Sequence, residues 1–191
     1  MTIKHEFEKV EVTGADGLWA WLGAHHDQGR SVWLVTWKAA HRAKYVSREE
    51  VLDALIAFGW IDGRRMKVDD DRTMQLISPR KEQAWAQSYK SRAERLDAEG
   101  RMQPPGRAAI AESKRAGKWM ASADIDALKE PDDLVTALDA QNARAFWDAS
   151  PPSYRRNILR FIAGAKRPET RAKRVALTAA HAARGEKVPQ Y

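Results

Sequence analysis

No cysteine occurs in the 191 residues. That removes disulfides, thiolate zinc sites and cysteine nucleophiles at once, and it leaves the redox compartment open. Long apolar runs are missing too: no segment approaches the roughly 18 residues that suggest a membrane span. The amino terminus, MTIKHEFEKVEV, lacks the apolar core of a secretory signal. The expectation is a soluble, cytoplasmic chain with no transmembrane segment. Known catalytic signatures are equally scarce. The phosphate-binding G-x-x-x-x-G-K-[ST], the dinucleotide G-x-G-x-x-G, the zinc H-E-x-x-H and the esterase G-x-S-x-G patterns do not occur. Asp69-Asp70-Asp71 does not open a calcium loop, because the sixth and twelfth positions are Met74 and Arg80 rather than glycine and glutamate. His25 and His26 are adjacent and point to different sides of a helix, with no histidine four residues on. No metal and no cofactor is expected.

What is present is tryptophan and a lopsided charge. Eight tryptophans lie mostly inside periodic segments, which points to a Trp-rich core. The net charge of +7 is concentrated near the end: residues 151–191 hold ten Lys/Arg against Glu169 and Glu186, while the first 150 residues sum to −1.

The periodicities divide the chain in two. Residues 6–12 alternate as an edge strand, 15–26 carry Leu18, Trp21, Leu22 and His25 at helical spacing, and 31–38 read as a two-sided central strand. Ser47 and Glu50 form a capping box, Val46 faces Val51 as a hydrophobic staple, and Gly59 ends that helix. Residues 60–67 and 73–78 flank a polar turn as a hairpin. With residues 31–38 they are expected to form one antiparallel sheet under helix 48–58, burying Val32, Leu34, Val51, Leu55, Phe58 and Ile61. Pro79 is suited to the first turn of a long helix reaching about Leu96. Pro104-Pro105-Gly106 reads as a break before a helix over 107–116, and 121–130 as a linker. From Pro131 onward only helices are predicted, over 131–140, 142–149, 152–165 and 168–184. The fold class is α+β: a small antiparallel sheet with packed helices over 1–120, and an all-helical part over 121–191.

Two groups of residues invite a functional reading. On the first strand of the hairpin, alternation places Trp60, Asp62 and Arg64 on one face and Ile61 and Arg65 on the other. Arg80 follows the second strand and Trp85 comes soon after. Two accounts stand: Asp62 forms a salt bridge to Arg80 or Arg64, or the group is a small-ligand site with Trp60 as its stacking wall. The second group is Arg156, Arg160, Arg167, Arg171 and Arg174. These arginines are a solvated outer face, a polyanion-binding patch, or partners of the acidic helix with Asp132, Asp133 and Asp139.

The succession ALIAFGWIDG, SPRK, a tryptophan-bearing helix, LDAEGRMQPPG and AGKW resembles the bacteriocin-protection, YdeI/OmpD-associated (OmdA) family. SYRRNILRFIAGAKRPETRAKR is similar to that family's second signature, and the resemblance spans residues 17–185 in order. One motif departs: many relatives read S-x-W-S-x-x-N where this chain has QAWAQSYK, keeping Trp85 without the flanking polar residues. The resemblance implies tolerance of bacteriocins or antimicrobial peptides and an association with the cell envelope, and it brings no established reaction or catalytic residue. The first functional expectation is therefore a non-enzymatic binding or stress-tolerance protein, with an acidic protein, an envelope component or a polyanion as partner. The alternatives are a basic nucleic-acid or polyanion-binding module, and an enzyme with a pocket near Trp60, Asp62 and Arg80.

Overall fold

The computed structural model describes residues 7–189. The chain divides into two compact units, Met1–Ala121 and Ser122–Tyr191. The architecture is α+β, with strands in the first unit and helices alone in the second among the described residues.

The first unit runs β1 (Lys9–Glu11), α1 (Ala15–His25), β2 (Val32–Trp37), α2 (Arg48–Ala57), β3 (Trp60–Lys67), β4 (Arg72–Pro79), α3 (Gln87–Ala98) and α4 (Pro104–Arg115). The sheet order is β1-β2-β4-β3. β2, β4 and β3 are antiparallel, while the short edge strand β1 joins β2 in parallel. Glu6, expected to open that edge strand, lies outside the described residues. α2 starts as its sequence dictates. Ser47 Oγ accepts the Glu50 N–H at 3.2 Å, Glu50 Oε2 accepts the Ser47 N–H at 2.8 Å, and Val46 and Val51 are both buried. Gly59 ends it in the left-handed region, at φ +74. In the hairpin turn Asp69 Oδ1 accepts the N–H groups of Asp71 and Arg72 at 3.0 and 2.7 Å. The aspartate run therefore shapes its own turn and needs no cation.

Leu18, Leu22, Val32, Leu34, Val51, Leu55, Ile56, Trp60, Ile77 and Trp85 belong to one buried cluster. Each such aliphatic side chain contributes about 1.5–3 kcal/mol on full burial, so this cluster is what holds the helices to the sheet. Ile61, expected in the core, is only half-buried. Strand alternation gives the core face to its neighbour Trp60 and turns Ile61 to the other.

Three prolines, at two places in the chain, act differently from expectation. Pro79 does not start a helix. It pairs with Trp60 at the end of β4, and the next N–H, that of Arg80, goes back to Gly59 O at 2.9 Å. Helix α3 begins only at Gln87. Pro104-Pro105 do not break the chain but occupy the first positions of α4, where a fixed φ and a missing N–H cost little. Gly106 sits inside that helix because a Cβ there would overlap Ala57 O.

The second unit holds α5 (Ala123–Asp126), α6 (Asp132–Ala140), α7 (Arg144–Ala149), α8 (Pro152–Ala163) and α9 (Pro168–Ala183). The single turn α5 lies in the stretch expected to be a linker. Leu134, Leu138, Trp147, Tyr154, Ile158, Leu159, Ile162, Val175 and Ala179 form its core. Tyr154 Oη accepts the Val188 N–H at 3.0 Å, tying down the tail. Among the described residues no helix is long and apolar enough to cross a membrane.

Candidate functional site

The hairpin group is rearranged by a β-bulge. Asp62 pairs with Ile77 but Arg65 with Gln75, so one extra residue lies between them and alternation is interrupted. Gly63 permits it, since a Cβ there would stand 3.2 Å from Leu76 O. The bulge moves Arg65 to the face of Asp62. Gln75 joins the two, donating to Asp62 Oδ2 at 3.1 Å and accepting from Arg65 Nη2 at 3.1 Å. Arg64 goes to the opposite face, over the ring of Trp33 at 5.2 Å.

Neither salt bridge expected of Asp62 forms among the described residues. Its close partner is the Tyr89 hydroxyl, from α3, which donates to Oδ1. Burial first, then that bond, push the Tyr89 hydroxyl up to about 12, so it remains a donor at neutral pH. Arg80 is only 8 % exposed. Its Nη1 donates to the carbonyls of Gln83 and Ala84, each at 3.3 Å, and its guanidinium lies over Trp85 at 4.0 Å and Tyr89 at 5.5 Å. Burial lowers it to about 10, against the pull of Tyr89 and Asp62. Trp85 is wholly buried and donates to Ser113 Oγ at 2.8 Å. Trp60 is no stacking wall either: it is core, donating to His26 O at 3.3 Å. The structure thus gathers Asp62, Arg80 and Trp85 around Tyr89 and leaves out Trp60 and Arg64. The Tyr89–Asp62 bond fastens α3 to the sheet, while Nε and Nη2 of Arg80 are buried without a hydrogen-bond partner among the described residues.

The C-terminal arginines do not form one patch without acidic neighbours. Arg171 holds Asp133 of α6 in a bidentate pair at 2.6 and 2.9 Å, Arg160 lies 3.6 Å from Asp126, and Arg156 donates to Asp126 O at 3.2 Å. Arg174 donates to Phe161 O and lies over that ring. Arg167 is exposed at the start of α9. The local excess of basic residues is largely answered by the acidic segment 124–139, which is why the tail's charge overstates its surface.

Two carboxylates, Asp53 buried and Glu130 half-buried, carry no signal in the sequence. Asp53 on α2 accepts from Arg92 and from Arg95 at 2.6 Å. Glu130, its side chain 12 % exposed, accepts from Arg144 Nη1 at 2.6 Å, Trp147 Nε1 at 2.6 Å and Arg155 Nη2 at 2.8 Å. Burial alone would raise Glu130, but these bonds outweigh it and hold the carboxyl below its ordinary value. Glu130 falls at the end of the stretch expected to be a linker. Three donors from two later helices meet it, and no local pattern announces that.

A cavity formed by described residues lies elsewhere again. Ala93, Glu94 and Asp97 on α3 face Arg107, Ile110, Ala111 and Lys114 on α4 across about 350 Å³, with Met102 and Trp119 completing the wall. Both sets follow helical spacing, so each helix presents one stripe to the groove. Met102 is buried and Ile110 and Trp119 are half-buried. Asp97 and Arg107 form an ion pair at one end, and Lys114 Nζ stands 5.0 Å from the centre of the Trp119 ring at the other. The volume falls within the range of small-molecule sites. No cluster of three or more His, Asp or Glu is placed to hold a metal among the described residues.

Comparison with known families divides the chain as the structure does. Residues 127–185, the Glu130-centred helical unit, match the family described as Bacteriocin-protection, YdeI or OmpD-Associated (OmdA). Residues 10–109 match a separate family, described as Domain of unknown function (DUF8412), and since that match takes in more than half the chain, the protein belongs to it. The amino-terminal half of the resemblance thus falls to a family other than OmdA. No curated protein and no solved structure matches the chain.

Proposed function

We propose that this is a binding protein of the bacteriocin-protection type, acting by capturing a small amphiphilic molecule and not by catalysis, with the α3–α4 groove as its binding site. The observation that carries this is the groove itself. It combines an apolar wall of Met102, Ile110 and Trp119 with charged groups on both rims, the composition typical of a ligand site. The Asp62 and Glu130 networks support the non-catalytic half of the reading, because their acceptors are taken up by donors of the fold itself. A polyanion-binding role for the C-terminal arginines is disfavoured by the carboxylates that hold Arg160 and Arg171.

Ala111 is exposed and lines the groove, so tryptophan there fills the space from the solvent side without touching the core. In a host made bacteriocin-sensitive by deleting the gene, wild-type protein is expected to restore tolerance. Ala111→Trp is expected to fail to do so while melting within a few degrees of wild type. Full restoration by Ala111→Trp would remove the groove from the function.

A further inference from the structure

The charge in the α3–α4 groove is not symmetrical, and a residue just beyond its lining makes it so. Lys90 precedes Ala93, Glu94 and Asp97 by three, four and seven positions and therefore heads the stripe that α3 turns toward the groove. It is 5 % exposed. Among the described residues its ammonium has no hydrogen bond and no ion pair. Its nearest described polar interaction is with the Trp119 ring, whose centre lies 5.6 Å from Nζ. Lys114, from α4, stands 5.0 Å from the centre of the same ring.

Two ammonium groups on one tryptophan ring repel each other, and no carboxylate pairs with Lys90 or Lys114 among the described residues. Such an arrangement gains most from an anion placed beside the ring. The opposite end has no comparable demand, because Asp97 and Arg107 neutralise each other. Between the ends lie the apolar groups Ala93, Ile110 and Met102, with Glu94 on one rim. The groove thus has a cationic head, an apolar middle and a neutral foot.

We infer that the ligand of the groove is an amphiphilic organic anion, a carboxylate or phosphate ester whose head group lies between Lys90 and Lys114 and whose apolar body covers Ile110 and Met102. This rests on the groove being the binding site. The cation-bearing ring selects the head group by charge and by partial desolvation, and a charge-assisted bond to a lysine is stronger than a neutral one. The apolar body supplies affinity in proportion to the area it removes from water. An ammonium amphiphile of the same length gains only the second contribution and meets the two lysines at close range.

Calorimetric titration of the full chain with n-decanoate, n-decyl phosphate, n-decylammonium and inorganic phosphate tests this. Decanoate or decyl phosphate is expected to bind at least about tenfold more tightly than decylammonium, with no measurable binding of inorganic phosphate alone. A stronger response to one of the two anions identifies which head group is preferred. Lys114→Glu, at an exposed position, is expected to weaken the anion by about tenfold or more and to strengthen decylammonium. Lys90→Met removes the other ammonium and is expected to weaken the anion likewise, and Lys114→Glu serves as the test should that variant fold poorly. Equal binding of anion and cation, abolished together by Ala111→Trp, would overturn the charge inference and leave the groove as a site. Anion binding untouched by Ala111→Trp would overturn both. Absence of binding by every amphiphile to wild type overturns this inference alone, since the tolerance assay judges the groove separately.

Discussion

Glu130→Ala is expected to destabilise the C-terminal unit by about 3 kcal/mol, at the low end for breaking a buried pair. The low end applies because Arg144, one of its partners, is 39 % exposed in its side chain and recovers hydration, whereas Arg155 at 19 % does so less. Trp147 Nε1 also loses its acceptor inside the core. Glu130→Gln keeps an acceptor and most of the shape, so it should lose less than half as much. The same carboxylate predicts a pH dependence. Its folded value lies below the ordinary 4.5, so its contribution is present in full above that value and disappears as pH falls through the lower folded value. Urea unfolding from pH 7 down to pH 3 should therefore show wild type converging on Glu130→Ala at the acid end. Curves offset by a constant amount at every pH would contradict the link to the Glu130 carboxylate, and coincident curves would mean that the network contributes nothing.

The second large effect belongs to Gly106. A Cβ at this position overlaps Ala57 O and closely approaches Ile56 O, and both are backbone atoms of the last turn of α2, with no flexible side chain to move aside. Gly106→Val is expected to cost about 3 kcal/mol, the upper part of the overpacking range, and to displace α4 from α2. Because α4 supplies one wall of the groove, amphiphile binding should fall with it even where the protein remains folded. Gly17→Ala on α1 is the opposite case. Nothing lies within 4 Å of where its added methyl would sit, and its φ is ordinary, so alanine there should stabilise by roughly 0.5–1 kcal/mol. Thermal melts of the two variants are expected to move in opposite directions. An unchanged midpoint for Gly106→Val would show that α4 is not packed as described.

Local rules made much of this fold legible. The Ser47–Glu50 box, the left-handed stop at Gly59, the hairpin with its aspartate turn and the helices opening at Pro152 and Pro168 all depend on residues within a few positions of one another. The failures share a cause of the other kind. Pro79 and Pro104 are equally at home at a helix start, a strand end or a turn, and only the path of the neighbouring chain decides among these. The bulge at Gly63-Arg64 exchanges the faces of Arg64 and Arg65, which no count by twos foresees. Opposite charge makes an arginine the natural partner for Asp62, yet α3 brings Tyr89 to it and Arg80 stays beneath Trp85 with two backbone carbonyls. The groove was half visible. Lys90, Ala93, Glu94, Asp97 and Arg107, Ile110, Ala111, Lys114 each have the spacing of one helix face, but that the two faces meet is a tertiary fact.

The most direct test of the binding site is a backbone amide NMR titration of the full chain with n-decanoate. The largest shifts are expected at residues around Lys90, Ala93, Ile110, Lys114 and the Trp119 indole N–H, with Asp62, Gln75 and the Glu130 network unmoved. Shifts centred on Asp62 and Arg80, or on the helices around Glu130, would contradict the assignment of the groove.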